Sequence, residues 1–286
     1  MALLTRRTLL FSAALLLAPV AHLDAQPLPD SHAAQTQFTY THPWQGKRVA
    51  FFGDSITDPR LKGSQIKKYW DFLKDWLGIT PYVYGVSGRQ WNDIPRQTDQ
   101  LRAEHGDAVD GIVILMGTND FNKGVPIGEW FTEQEEQVEY SNDGKPKRWA
   151  TRMHRTPVYA DSTYRGRINL ALRKIKQLYP TCPVILLTPL HRGLANFNDS
   201  NLQPDENYQN ACGEYVDAYV LSVKEAGSLW AMPVIDLHAV SGLQPMVQEQ
   251  LIYFWDAATD RLHPNSLGQE RMARAVMQQL LMIPPK

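Results

Sequence analysis

The sequence predicts an α/β protein built on one parallel sheet with helices on both faces. Three observations predict it: five short apolar runs rich in β-formers, longer segments of helical period between them, and polar clusters placed directly after several of the runs. At 286 residues the chain is long enough to bury a core without disulfide or metal staples. It reads as one catalytic-size domain at 45–286, with an inserted excursion near 124–161, rather than as two domains.

The strands are expected at 48–52, 82–86, 111–116, 184–188 and 234–236, where Val, Ile, Leu and aromatics concentrate. Between the first two, Ile66, Tyr69, Trp70, Leu73, Trp76 and Leu77 recur three and four apart, and Gly78 follows as a stop. That is a crossover helix. Further helices are expected at 93–104, 164–179, 205–226 and 266–281, the last opened by a capping pair of Ser266 and Gln269. The insertion runs from Glu129, Glu133, Glu135, Glu136 and Glu139 to Lys145, Lys147, Arg148, Arg152 and Arg155. This order suits a solvated face, or else a salt-bridged helix or hairpin over the sheet edge.

The first 25 residues read as a secretory signal, with Arg6 and Arg7 ahead of an apolar run at 9–20 and small residues at Ala21 and Ala25 for cleavage. An N-terminal linker at 26–44 would follow. The run is too short to span a bilayer, so no stable membrane insertion is expected after signal removal, and the protein is expected to be exported to a periplasmic or extracellular space. Arg6-Arg7 leaves both twin-arginine and general secretory routes open. With 29 basic residues against 30 acidic ones, nothing in the overall charge calls for nucleic acid. The two cysteines, Cys182 and Cys212, are read as buried free thiols, a single disulfide being the alternative. No Cys-x-x-Cys or His-Glu-x-x-His spacing occurs, so no metal is predicted.

In an open parallel sheet, ligands bind at the carboxyl edge of the strands, where residues distant in sequence converge. Four clusters fall at such places or in a late loop: Gly53-Asp54-Ser55-Ile56-Thr57, Ser87-Gly88, Gly117-Thr118-Asn119-Asp120 and Asp260-Arg261-Leu262-His263-Pro264. A serine hydroxyl needs a base during attack, and an imidazole suits that task near neutral pH. His263 is the expected base, Asp260 the carboxylate that orients it, and Ser55 the nucleophile, presented where a helix amino end would favour developing negative charge. Backbone amides of Ser55 and Gly88 and the side-chain amide of Asn119 are the candidate oxyanion donors.

Together these clusters resemble the SGNH, or GDSL-type, hydrolase superfamily. The matching blocks are Gly53-Asp54-Ser55-Ile56, Gly88, Gly117-x-Asn119-Asp120 and Asp260-x-x-His263, in the family's order, although the asparagine often found just before the block II glycine is missing. The resemblance implies a flavodoxin-like three-layer α/β/α sandwich with a five-stranded parallel sheet of order 2-1-3-4-5, a Ser55–His263–Asp260 triad, Gly88 and Asn119 as oxyanion donors, and no cofactor. The substrate would be a small-molecule or glycan ester.

Trp91 and the run Tyr253, Phe254 and Trp255 are either an aromatic lining of the active-site mouth, suited to stacking on sugars, or core residues. His191 and Arg192 are candidates to touch substrate, with a surface ion pair the other reading of Arg192. An exported enzyme with aromatic flanks suggests an esterase that deacetylates carbohydrate. The alternatives are a lipid-acting esterase or lysophospholipase, and a carbohydrate-binding protein that keeps the fold without turnover.

Overall fold

The first strand shows how the layers arise. In the computed structural model, which describes residues 41–286, β1 (Arg48–Gly53) sends Val49 and Phe51 into one core and Ala50 and Phe52 into another. Successive side chains of a strand face opposite sides, so a strand covered on both faces must be apolar at nearly every position. The expected signal and nearly all of the 26–44 linker lie outside the described residues.

The chain continues through α1 (Tyr69–Leu77), β2 (Thr80–Val83), α2 (Ile94–His105), β3 (Gly111–Leu115), α3 (Thr118–Asn122), β4 (Phe131–Tyr140), β5 (Arg148–Pro157), α4 (Tyr164–Leu178) and β6 (Val184–Leu187). It ends with β7 (Ala195–Asn198), β8 (Asn201–Gln203), α5 (Val216–Trp230), β9 (Val234–Ile235), α6 (Leu237–Val240), β10 (Phe254–Asp256), β11 (Asp260–Pro264) and α7 (Ser266–Leu280). The central sheet has the order β2-β1-β3-β6-β9 and is parallel throughout. Counted over its own five strands, this is the expected 2-1-3-4-5. One core holds Ile94 and Leu101 of α2, Ile168 and Leu172 of α4 and Tyr219 of α5; the other holds Leu73 and Leu77 of α1 and Met272 and Val276 of α7. The result is helices on either side of one sheet.

Several expectations are corrected. Trp44, placed at the end of the linker, is fully buried, and its indole N–H lies 2.7 Å from the Ile283 carbonyl and 3.1 Å from that of Leu280. It belongs to the domain. The helix expected from 205 begins only at Val216, because Asn210 Oδ1 accepts from the backbone N–H groups of Cys212 and Glu214 and holds the preceding stretch in turns. At α7 the cap is Asn265, which accepts from Leu267 and Gly268; Ser266 Oγ instead accepts from the Lys67 amide, and Gln269 bonds Tyr69 and Ile56. Cys182 is buried but Cys212 is exposed, and the two are unpaired.

The insertion forms a hairpin in which ten residues of β4 pair antiparallel with ten of β5. Its acidic-then-basic order places Glu133 opposite Arg155 and Glu136 opposite Arg152, so each like-charged strand faces its complement. Among the described residues, no helix is long and apolar enough to cross a membrane.

Candidate active site

β11 sits in a second, antiparallel sheet of order β10-β11-β7-β8. The sequence reading put Asp260 and His263 in a loop, but they lie on this strand. Residues three apart on a regular strand face opposite sides. Here the pairs Phe254–Pro264 and Asp256–Asp260 enclose a register shift, and this bulge brings the two side chains together. His263 Nδ1 lies 2.9 Å from Asp260 Oδ2, and His263 Nε2 lies 2.8 Å from Ser55 Oγ. An ionised carboxylate only accepts, so Nδ1 carries the hydrogen and Nε2 is left to accept from the serine. All three side chains are buried.

Ser55 follows β1 in a single turn, with Thr57 and Asp58 amides bonded to the Asp54 carbonyl. The long helix begins only at Tyr69, so the expected helix amino end beneath the nucleophile is replaced by this turn. Gly53 admits the turn: a Cβ there would stand 2.8 Å from the Leu115 carbonyl oxygen and 2.4 Å from Thr57 Oγ1. Asp58 joins the turn to the next cluster by accepting from Ser87 N at 2.8 Å and Ser87 Oγ at 3.1 Å. Gly88 then takes φ +77°, a left-handed conformation that glycine adopts without strain. Asn119, on α3, donates from Nδ2 to the Arg89 carbonyl at 3.0 Å, tying the third cluster to the second. Among the described residues, neither the Ser55 nor the Gly88 backbone N–H donates within the protein, and Asn119 Nδ2 keeps a second hydrogen.

Charged groups are packed beneath these loops. Burial pushes the Asp54 carboxyl up to about 7, against the Ile56 N–H that it accepts. Burial likewise raises Asp120 to about 6, opposed by Arg167 at 3.0 Å and the Trp91 amide. Lys68 is 2% exposed, and its Nζ approaches the Ser55 carbonyl at 3.4 Å; burial lowers its ammonium to about 8, with Asp58 and Asp54 opposing. Among the described residues, no group of three or more His, Cys, Asp or Glu could hold a metal ion.

Comparison with known proteins identifies the family. The model of the GDSL-like lipase/acylhydrolase family matches residues 51–271, which span all four clusters. The chain belongs to this family. This GDSL-like acylhydrolase is therefore an ester-hydrolysing serine hydrolase. Among solved structures it resembles a protein from Lactobacillus plantarum, with 22% identity and a TM-score of 0.63 over 84% of this chain and 98% of that one. A possible lipase from Chitinophaga pinensis matches with 19% identity and a TM-score of 0.61 over 83% and 98%. At these identities both show the shared fold. An acetylxylan esterase from Geobacillus stearothermophilus matches with a TM-score of 0.49 and 19% identity over 82% and 94%. No curated protein matches the sequence significantly.

In the acylhydrolase, the substrate candidates divide. Trp91 is fully buried and its indole donates to Tyr164 Oη at 3.1 Å, so it is core rather than lining. Arg192 is 1% exposed, which corrects both of its earlier readings. Its guanidinium donates to the Thr118 carbonyl at 3.0 Å and to Gln203 Oε1 at 2.8 Å and lies over Phe121; burial lowers it to about 10. It is a strut behind the site. His191 is partly exposed, packed at a tilt against the His238 ring and bonded to Glu206 Oε1 at 2.7 Å. Trp255 is half-buried under the Lys62 ammonium. Sequence reasoning missed Phe197, whose ring centroid lies 5.6 Å from that of His263, because β7 has no strand signal beyond a lone Phe between asparagines.

Proposed function

We propose that this acylhydrolase removes short acyl groups, chiefly acetyl, from carbohydrate, using Ser55, His263 and Asp260 and passing through an acyl-enzyme. The observation that carries the reading is the unbroken path from Ser55 Oγ through the His263 ring to Asp260, with contacts of 2.8 and 2.9 Å. Ser55 Oγ attacks the ester carbonyl as its proton passes to His263 Nε2. Asp260 stabilises the imidazolium, and the free N–H groups of Ser55, Gly88 and Asn119 receive the oxyanion. The tetrahedral species then expels the alcohol, which takes the proton from His263. Water repeats the sequence on the acyl-enzyme and releases the acid.

A sugar alcohol is supported by the partly exposed rings of Phe197 and Trp255 around the strand that carries Asp260 and His263. Export is part of the proposal and rests on the basic residues and apolar run of the first 25 residues. Hydrolysis of 4-nitrophenyl acetate by the wild type, lost in Ser55→Ala, tests the chemistry; undiminished turnover in that variant overturns it.

A further inference from the structure

Two and three residues past the candidate oxyanion donor Asn119, Phe121 and Asn122 of α3 border a cavity of about 230 Å³ between that helix and the stretch following β8. Phe121 and Asn122 form one wall, and Leu202, Asp205 and Tyr208 contribute to the other. Both walls belong to elements that also lead to the candidate catalytic residues. α3 is the helix that carries Asn119, while β8 pairs with β7, whose Phe197 lies against the His263 ring. Two tethers hold the walls apart at a set distance. Arg192 bridges Thr118 to Gln203, and Asn210 Nδ2 donates to the Phe121 carbonyl at 3.1 Å.

The lining has the mixed chemistry of a sugar site. Asn122, Asp205, Gln209 and Asn210 supply amides and a carboxylate, and no lysine or arginine lines the cavity. Among the described residues, neither the Asn122 side chain nor the Tyr208 hydroxyl bonds within the protein. Asp205 accepts from Asn207 N with one oxygen and Gln209 donates only from Nε2, so a carboxylate oxygen and an amide oxygen are also unengaged. Sugar hydroxyls need donors and acceptors together, whereas the C–H face of a pyranose needs an apolar ring. Tyr208, 63% exposed, offers its ring.

We infer that this cleft is a binding subsite for a sugar ring adjoining the acylated one, so that the enzyme acts on esters of oligosaccharides in preference to those of monosaccharides. The inference rests on the esterase reading of Ser55. An acyl chain would find too many unpaired polar groups here, and an anion would find no cation.

The test compares wild type with Tyr208→Ala and Asn122→Ala on three substrates: acetylated xylo- and manno-oligosaccharides, the matching acetylated monosaccharides, and 4-nitrophenyl acetate. Tyr208 is exposed, so its truncation leaves folding intact. For at least one oligosaccharide, KM is expected to rise about tenfold in each variant with kcat unchanged, while the monosaccharide esters and 4-nitrophenyl acetate are turned over as by wild type. Equal losses on all substrates, or no loss on any oligosaccharide, overturn the subsite. Wild type that hydrolyses 4-nitrophenyl acetate but no oligosaccharide ester also overturns it and leaves the esterase standing. Retention of 4-nitrophenyl acetate turnover in Ser55→Ala removes the esterase reading instead.

Discussion

Asp260 holds His263 twice: the ring Nδ1 lies 2.9 Å from Oδ2 and 3.0 Å from Oδ1, and Oδ1 also accepts the backbone N–H of the same histidine at 3.1 Å. Oδ1 also accepts from Leu262 N at 3.3 Å. Both carboxylate oxygens are thus in use. In Asp260→Asn, the two backbone donors keep the oxygen at the Oδ1 position, and the new NH₂ takes the Oδ2 position, 2.9 Å from Nδ1. The ring must then accept there and carry its hydrogen on Nε2, where it cannot take the serine proton. We expect kcat to fall by about a thousand- to ten-thousand-fold with the fold intact. Steady-state kinetics beside a circular dichroism spectrum checks it; a variant within tenfold of wild type contradicts the assignment.

Asn119 is held in place by the Arg89 carbonyl, which engages one of its two amide hydrogens. The other is free for a charge that exists only in the transition state. Asn119→Ala is expected to lower kcat by about a hundred- to a thousand-fold, on the order of 3–4 kcal/mol, with little change in KM. A rise in KM at constant kcat would assign Asn119 to ground-state binding.

Arg192 donates in a fork to Thr118 and Gln203, and among the described residues its guanidinium makes no ion pair. A lysine reaches one of these acceptors at best and leaves the other unsatisfied. Arg192→Lys is expected to lower stability by about 2–4 kcal/mol, seen as a lower urea midpoint at unchanged slope. An unchanged midpoint would show that the strut is dispensable.

Asp54 makes stability depend on pH in a stated direction. Burial lifts its carboxyl from the ordinary 3.8 to about 7. Between these values the folded protein keeps a proton that the unfolded chain has released, so unfolding free energy falls as pH rises. The contribution is complete below the lower value and lost as pH passes the upper one. Asp54→Asn keeps an oxygen for the Ile56 N–H but carries no charge. Its gain over wild type in urea midpoint is expected to be larger near about pH 8 than near about pH 5. Equal gains at both would refute the assignment.

Local pattern made much of this protein legible. The apolar runs around Phe51, Val113 and Leu186 could only be strands covered on both faces, and the 3–4 spacing of Tyr69, Leu73 and Leu77 marked the helix on one of them. The four polar clusters stood out because each followed an apolar run or formed a compact Asp-x-x-His. What stayed hidden depends on partners distant in the chain. Trp44 looked like linker because the carbonyls it bonds lie 236 and 239 residues away. Trp91 stayed open between lining and core, and Arg192 between a substrate contact and a surface ion pair, because nothing near them in sequence shows that Tyr164, Thr118 and Gln203 enclose them.

The sequence by itself determined which groups are available: one hydroxyl, one imidazole, one carboxylate and a set of amides, each beside an element whose period is set by its own side chains. Only the tertiary structure decided which of them meet. The meeting of Ser55 with His263 depends on the β11 bulge and on the fold of the chain between two positions 208 apart, and neither leaves a periodic trace. Periodicity reports which face of an element is buried, whereas a catalytic contact is set by how separate elements pack.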